Sequence, residues 1–151
     1  METINKKDIN KGGKALHILK NGKLVFNNEG ETNVLMDYCI HNTPRPDKNY
    51  VDLFLEKDPS PDYVSILNSL KDSRFSIFRL MHKRKGFGVL AEDTLSGDTV
   101  LILDKALSRF GQINLYIAGR FLPMINASDG KEAGILSGAS LPINENLYPL
   151  I

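Results

Sequence analysis

The stretch Phe75–Leu103, FSIFRLMHKRKGFGVLAEDTLSGDTVLIL, decides the predicted fold. It is rich in residues that favour strands, and it is interrupted by turn-forming residues at Lys83–Gly86 and Leu95–Asp98. The pattern predicts three short strands. The last of them, Thr99–Leu103, is a continuous apolar run, which is typical of a strand buried on both faces.

Two later segments extend this predicted sheet. Ile113–Leu122 alternates apolar and polar residues, as a half-buried strand does. Ala133–Leu141 contains glycines, which favour a strand that bends as it closes the sheet. Five short antiparallel strands with tight turns are expected to curl into a small barrel of the SH3 or OB type, because closure removes exposed edges.

The N-terminal part begins with a hairpin signal. Asn21-Gly22 lies between two apolar-rich runs, Ala15–Lys20 and Lys23–Phe26, and this dipeptide is preferred in type I′ turns because both residues need positive φ. Residues 1–14 offer little apolar surface to bury, so they are expected to be flexible.

Three short helices are predicted between the hairpin and the sheet. Apolar residues at helical spacing predict the first over Glu31–His41. Asp47 is expected to cap the second, and Ser60 followed by Pro61 is a strong start signal for the third.

These elements predict an α+β fold in which an N-terminal β-hairpin and three short helices pack on a five-stranded antiparallel barrel. The expected organisation is a flexible segment (1–14), a hairpin and helical subdomain (15–72), a β-barrel (73–143) and a C-terminal tail (144–151).

Composition fits a cytoplasmic globular protein. Of the 151 residues, 42% are hydrophobic and 25% are charged, which excludes wholesale disorder. The N-terminus lacks the apolar core of a secretory signal, and no run approaches membrane-spanning length. Cys39 is the only cysteine, so neither an internal disulfide nor a thiolate metal site is possible, and no cofactor is expected.

The net charge of +1 is unevenly distributed, and residues 71–125 carry nine Lys and Arg against five Asp and Glu. The segment His82-Lys83-Arg84-Lys85 is the densest basic cluster. It is either a loop that contacts phosphates or a solvated hairpin tip whose charges discourage edge pairing. Tyr116 could add base stacking.

Arg109 has two alternative roles. It either pins a loop through a bidentate bond to an acid such as Asp93, or it holds a carboxylate or phosphate of a ligand. The complete set of candidate binding residues is Arg79, His82, Lys83, Arg84, Lys85, Asp93, Arg109, Tyr116 and Arg120.

Signals for catalysis are weak. Glu92 and Asp93 are neighbours on a strand and therefore point to opposite faces, and Ser137–Ser140 lacks the pattern of a nucleophile elbow. We therefore expect a non-catalytic binding module with a protein partner, ahead of nucleic acid. The alternatives are a small-molecule sensor or enzyme, which a deep pocket lined by Arg109, Asp93 and Tyr116 would favour, and an oligomer-forming scaffold.

Four segments carry a resemblance over about residues 34–141. They are Asp37-Tyr38, Ser73–Phe78 (SRFSIF), Asp93–Asp98 (DTLSGD) and Ala106–Arg109 (ALSR). In this order they resemble a group of uncharacterised bacterial proteins that often carry a zinc-binding SEC-C motif. The resemblance implies a fold and no catalytic residues. The zinc site is not implied for this chain, because the motif needs at least three cysteines.

Overall fold

The computed structural model describes residues 4–42, 48–126 and 131–150. The chain divides into two compact units, Met1–Lys71 and Asp72–Ile151. The first unit is mainly helical and the second is a β-barrel, so the predicted α+β class is confirmed.

The first unit, called the helical unit below, shows four helices and one hairpin in residues 4–42 and 48–71. They are α1 (Lys6–Ala15), β1 (Leu19–Lys20), β2 (Lys23–Leu24), α2 (Gly30–Asn42), α3 (Tyr50–Leu55) and α4 (Pro61–Lys71). The predicted hairpin turn is confirmed, since Asn21 and Gly22 have φ values of 50° and 75°. The paired strands are shorter than expected, because Ala15 belongs to α1.

Residues 6–15 form helix α1, where the sequence predicts a flexible segment. The side chain of Asn5 caps the helix by accepting a bond from Asp8 N at 2.8 Å. Gly12 and Gly13 are buried, which lets the backbone of α1 approach its neighbours closely. The helix packs on a small core of Ile18, Leu35 and Cys39. The glycines therefore serve packing here, although the same residues suggest fraying when the sequence is considered alone.

The predicted starts of the later helices have different outcomes. Helix α4 begins at Pro61, as the Ser60-Pro61 signal predicts. Asp47, the expected cap of the second helix, lies outside the described residues. Helix α3 is capped by Asn49, which forms a reciprocal capping box with Asp52.

The second unit, called the barrel unit below, shows six strands and two short helices over its described part, residues 72–126 and 131–150. They are β3 (Arg74–Arg84), β4 (Gly88–Asp93), β5 (Thr99–Ile102), α5 (Lys105–Phe110), β6 (Tyr116–Asn126), β7 (Glu132–Leu136), β8 (Leu141–Pro142) and a 3₁₀ helix (Glu145–Leu150). The three strands predicted in the opening stretch are confirmed within two residues at each end.

Five of these strands close a barrel in the order β3, β4, β5, β7, β6, and β6 pairs with β3 again; β8 adds to β6. The barrel is mixed, and the prediction of an antiparallel barrel is wrong, because β5 pairs with β7 in parallel through Leu101↔Ala133 and Ile102↔Gly134. The reason is geometric. Strand directions cannot alternate around a closed ring of five, so at least one neighbouring pair must be parallel.

The core of the barrel comes from alternate residues of its strands. Its buried members are Phe78, Leu80, Val89, Ala91, Val100, Ile102, Ile117 and Phe121. The rings of Phe78 and Phe121 are 5.9 Å apart. Strand β5 is buried on both faces, as its continuous apolar sequence predicts.

Candidate functional site

The barrel unit holds all nine predicted site residues but does not gather them into one site. The nine residues lie at three separate places. His82, Lys83 and Arg84 are the last residues of β3, Lys85 lies in the turn that follows and Arg109 lies on α5. Arg79 and Tyr116 lie on the wall of the barrel, and Asp93 and Arg120 are buried.

The β3–β4 turn is tied to α5 by two side chains. The backbone N–H of Gly86 donates to Ser108 Oγ at 3.1 Å, and Ser108 Oγ donates to the carbonyl of Lys105 at 2.8 Å. Lys83 Nζ also donates to the carbonyl of Arg109, at 3.4 Å. Ser108 is buried, so its hydroxyl is a structural link between the two segments.

This link assembles a surface that we call the basic hairpin end, formed by Lys83, Arg84, Lys85, Lys105 and Arg109. Lys105 and Arg109 are four residues apart on α5 and therefore lie on one side of the helix. An acid, Asp104, precedes them, but its carboxylate caps α5 by accepting a bond from Leu107 N at 2.8 Å.

Two aromatic rings accompany these cations. Phe87 follows the turn and is 55% exposed, and Phe110 ends α5 and is 81% exposed. Because Ser108 and Lys83 bring the two segments together, both rings lie at the same end of the barrel as the cations. Exposed phenylalanines beside Lys and Arg are typical of interaction surfaces.

Arg79 is engaged elsewhere, on the outer face of the sheet. Its Nε and Nη2 donate to Glu92 Oε2 at 2.9 and 2.6 Å, and this bond raises the pKa of the guanidinium. Tyr116 is opposite Arg79 on β6, and its ring lies 4.6 Å from that of Tyr148. These residues form a separate polar and aromatic row on the barrel wall.

Asp93 is held inside the barrel wall, where it is 1% exposed. It accepts hydrogen bonds from Ser76 Oγ and from Arg74 Nε, the latter at 3.0 Å. Arg74 also donates from Nη1 to Glu132 at 2.6 Å. A loop-anchoring Arg–Asp pair is thus present, but its arginine is Arg74 and the expected partner Arg109 is exposed on α5.

The same carboxylate also orders the β4–β5 turn. Asp93 Oδ1 accepts from the backbone N–H groups of Leu95 and Ser96, at 3.2 and 3.4 Å. Burial alone raises the pKa of Asp93, but the hydrogen bonds from Ser76, Arg74 and the turn outweigh it and lower the pKa. Asp93 is therefore an ionised structural acceptor.

Arg120 cannot join the basic hairpin end, because it is only 7% exposed on β6. The alternation of a strand predicts an outward side chain at this position, opposite to Phe121. The turn over Ser137–Ser140 covers this part of β6: Ser137 N donates to the Arg120 carbonyl at 2.8 Å, and Ser140 lies against Gly119.

The barrel unit also has an open cavity of about 650 Å³. Its lining residues are Arg74, Ser96, Asp98, Thr99, Val100, Lys131 and Glu132. The expected lining of a ligand pocket, namely Arg109, Asp93 and Tyr116, is absent from this set. Arg74 and Glu132 line this cavity but are not among the site residues predicted from the sequence. The sequence singled out Arg74 only as a member of the SRFSIF segment.

The helical unit has a different kind of cavity, an apolar groove of about 540 Å³. Its walls come largely from α3 and α4 and include Phe54, Tyr63, Ile66 and Leu70. Cys39 lies nearby in the core of this unit and is fully buried, which raises the pKa of its thiol.

Within residues 4–42, 48–126 and 131–150, no three His, Cys, Asp or Glu side chains are grouped as metal ligands. None of the helices in these ranges combines the length and the apolar character that a membrane crossing requires.

Comparison with known proteins places the chain in a family. No curated protein and no solved structure matches it. A family model matches residues 1–146, which is nearly the whole chain. The protein therefore belongs to the family of unknown function DUF7986.

Proposed function

We propose that this protein is a non-catalytic binding module whose barrel unit engages an acidic segment of a partner protein through the basic hairpin end. The observation that carries the proposal is the link between Gly86 and Ser108, which joins the basic turn to α5 and so combines cations from two segments. A solvated hairpin tip needs no such link.

The charges of the surface favour an anionic partner. Arg84, Lys85, Lys105 and Arg109 are exposed, whereas the arginines of the barrel wall, Arg74 and Arg79, are paired with acids. Within residues 72–126 and 131–150, the exposed Lys and Arg side chains outside these ion pairs are thus concentrated at the basic hairpin end. Such an arrangement accelerates encounter with a negative surface and selects against a positive one.

A protein partner fits better than nucleic acid. Residues 72–151 carry nine Lys and Arg against eight Asp and Glu, so the barrel unit has a net charge of only +1. Nucleic-acid domains are usually far more basic. Phe87 and Phe110 provide apolar anchors of the kind that is enriched at protein interfaces.

The proposal has three further parts, which concern the type of barrel, the related protein group and the location of the protein in the cell. We propose that the barrel is of SH3 or OB type, that the family is close to the SEC-C-associated bacterial group, and that the protein acts in the cytoplasm. The small closed barrel supports the first part, and the SRFSIF segment at the start of β3 supports the second. The single, buried cysteine supports the third. Cell fractionation with an antibody against the protein tests the location.

The binding proposal is tested with a fluorescent peptide of about 15 residues that combines Glu, Asp and Leu. Fluorescence anisotropy is measured at about 50 and about 200 mM salt. We expect binding that weakens with salt and falls about tenfold or more in a variant with Lys83→Ala, Arg84→Ala and Lys85→Ala.

A matched control removes three exposed lysines from α1, through Lys6→Ala, Lys7→Ala and Lys11→Ala. It has the same net charge as the first variant and should bind like the wild type. Equal losses in both variants would mean that only total charge matters. Tighter binding to a single-stranded oligonucleotide or to vesicles with anionic lipid than to the peptide would contradict a protein partner and would favour that ligand instead.

A further inference from the structure

The cavity of the barrel unit is bordered by charged side chains of both signs. Arg74 and Lys131 are cations, and Asp98 and Glu132 are anions. The hydroxyls of Ser96 and Thr99 add polar groups, and the buried Val100 adds an apolar one. The volume of about 650 Å³ lies within the range of small-molecule sites.

Arg74 is held rigidly at this cavity. Nε binds Asp93 at 3.0 Å, Nη1 binds Glu132 at 2.6 Å, and the guanidinium lies 5.1 Å from the centre of the Phe121 ring. A guanidinium has five N–H groups, and these two ion pairs use two of them. About a third of the side chain is exposed, so the group combines a fixed orientation with access from solvent.

The anionic wall is ordered by the same buried carboxylate. Asp93 accepts bonds from the backbone of Leu95 and Ser96 and so positions the turn that carries Asp98. The backbone N–H of Asp98 in turn donates to Ser96 Oγ at 3.2 Å. One buried acid therefore orients a cation and an anion that border one cavity, which is the preorganisation that a specific ligand site needs.

The mixed charges define the class of ligand. A simple anion would meet Asp98 and Glu132, and a simple cation would meet Arg74 and Lys131. A molecule with both charges can satisfy both walls. We propose that the cavity binds a small zwitterion, an amino acid or a short peptide, with its carboxylate on Arg74 and Lys131 and its ammonium group on Asp98 and Glu132.

Val100 also borders the cavity, but it is 1% exposed and belongs to the barrel core, so it supports the cavity wall and is not a ligand contact. The site is independent of the basic hairpin end, because none of the five cations of that surface lines the cavity.

The test measures binding of the twenty amino acids and of a set of dipeptides to the full chain by NMR titration and by thermal shift. Acetate and methylammonium serve as ligands with one charge each. We expect chemical-shift changes around Ser96–Val100 and a rise in Tm with one or more zwitterions, since a ligand of the native state stabilises it. The two single-charge ligands should have no effect, and comparing amino acids with dipeptides identifies the preferred length.

Two substitutions test the contacts without touching the Asp93 network. Asp98→Asn and Lys131→Met should each weaken binding about tenfold, whereas Lys85→Met at the basic hairpin end should leave it unchanged. Failure of every amino acid and dipeptide to bind the folded protein would overturn the proposal. Equal binding of acetate would reduce the site to an anion site and would also overturn it, as would full binding by both cavity variants.

Discussion

Arg74 and Asp93 are joined by an ion pair in which Arg74 Nε lies 3.0 Å from Asp93 Oδ2, with the carboxylate almost completely buried. The pair connects the first residue of β3 to the last residue of β4. Asp93 also accepts a bond from Ser76 and two from the β4–β5 turn, so one carboxylate joins three segments of the barrel.

Replacing Asp93 by Asn should destabilise the protein by about 2–4 kcal/mol, because Arg74 loses a buried partner and Ser76 loses a charged acceptor. Chemical denaturation measures this change. Asp98→Asn, at an exposed position of the same turn, should change stability by no more than about 0.5 kcal/mol. Similar effects at the two positions would contradict the role given to the Asp93 network.

The same pair predicts a dependence on pH. The folded-state pKa of Asp93 is lowered from 3.8, so the unfolded chain takes up the proton first as the pH falls. The stabilisation is complete above the unfolded pKa and is lost as the pH falls from about 4 through the folded pKa. Denaturation at several pH values should show a shallower acid decline for Asp93→Asn than for wild type. Parallel curves would show that other carboxylates cause the decline.

Ser108→Ala tests the assembly of the basic hairpin end. The substitution removes the acceptor of the Gly86 N–H and should cost about 1–2 kcal/mol. Hydrogen exchange of the Gly86 amide should accelerate more than global stability requires, and binding of the acidic peptide should weaken. Ser65→Ala, at an exposed position of α4, provides the control and should alter neither quantity. Unchanged exchange at Gly86 would show that the turn stays in place without Ser108.

Two nearby glycines should differ strongly in how much stability their substitution costs. A Cβ on Gly88 would lie 2.2 Å from the carbonyl oxygen of Ile102, so Gly88→Ala must push β4 away from β5 and should cost about 3 kcal/mol. Gly86 has φ +77° and no atom within 4 Å of its Cβ position. Gly86→Asn should cost about 1 kcal/mol or less, since Asn tolerates this conformation. Thermal unfolding of the two variants checks the order, and a reversed order would contradict the strand spacing.

Gly12→Ala tests the packing of α1. A Cβ there would lie 2.9 Å from both Cys39 Sγ and Leu35 Cδ1, which requires a shift in a buried core. Ala gains about 1 kcal/mol in helix propensity, but the clash costs about 1–3 kcal/mol, so we expect net destabilisation. Lys11→Ala, at an exposed neighbouring position, should be neutral or slightly stabilising.

Combining Gly12→Ala with Cys39→Ala separates the two effects. Removal of Sγ makes room for the new methyl group, so the double variant should be more stable than the sum of the single changes predicts. Strict additivity in urea denaturation would mean that Gly12 and Cys39 are not in contact.

Local chemistry made several elements predictable from the sequence. Asn21-Gly22 predicts its turn because few residues adopt two successive positive φ values, and Ser60-Pro61 predicts the start of α4 because proline suits the first helical turn. The alternation and the apolar run in Phe75–Leu103 predict β3 to β5, since burial on a pleated strand depends on residue period. Each of these signals acts over a few residues.

The candidate site was less predictable, because its geometry depends on contacts between distant segments. The basic residues of the turn are evident in the sequence, whereas their attachment to α5 through Ser108 is not. The sequence likewise contains several acids and several arginines that could form ion pairs. Which arginine reaches Asp93 is decided by the β3–β4 register, in which Phe78 lies opposite Asp93 and Arg74 continues the same strand.

By itself, the sequence determined the α+β class, the turns and most of the strand positions, because these depend on local conformational preference and on the period of apolar residues. Tertiary structure alone decided the parallel pairing of β5 with β7, the burial of the α1 glycines, and the partner of Asp93. Closing five strands into a ring forces at least one parallel pair. The close packing of α1 on its neighbours favours residues without a Cβ. Neither constraint exists until segments far apart in the chain meet.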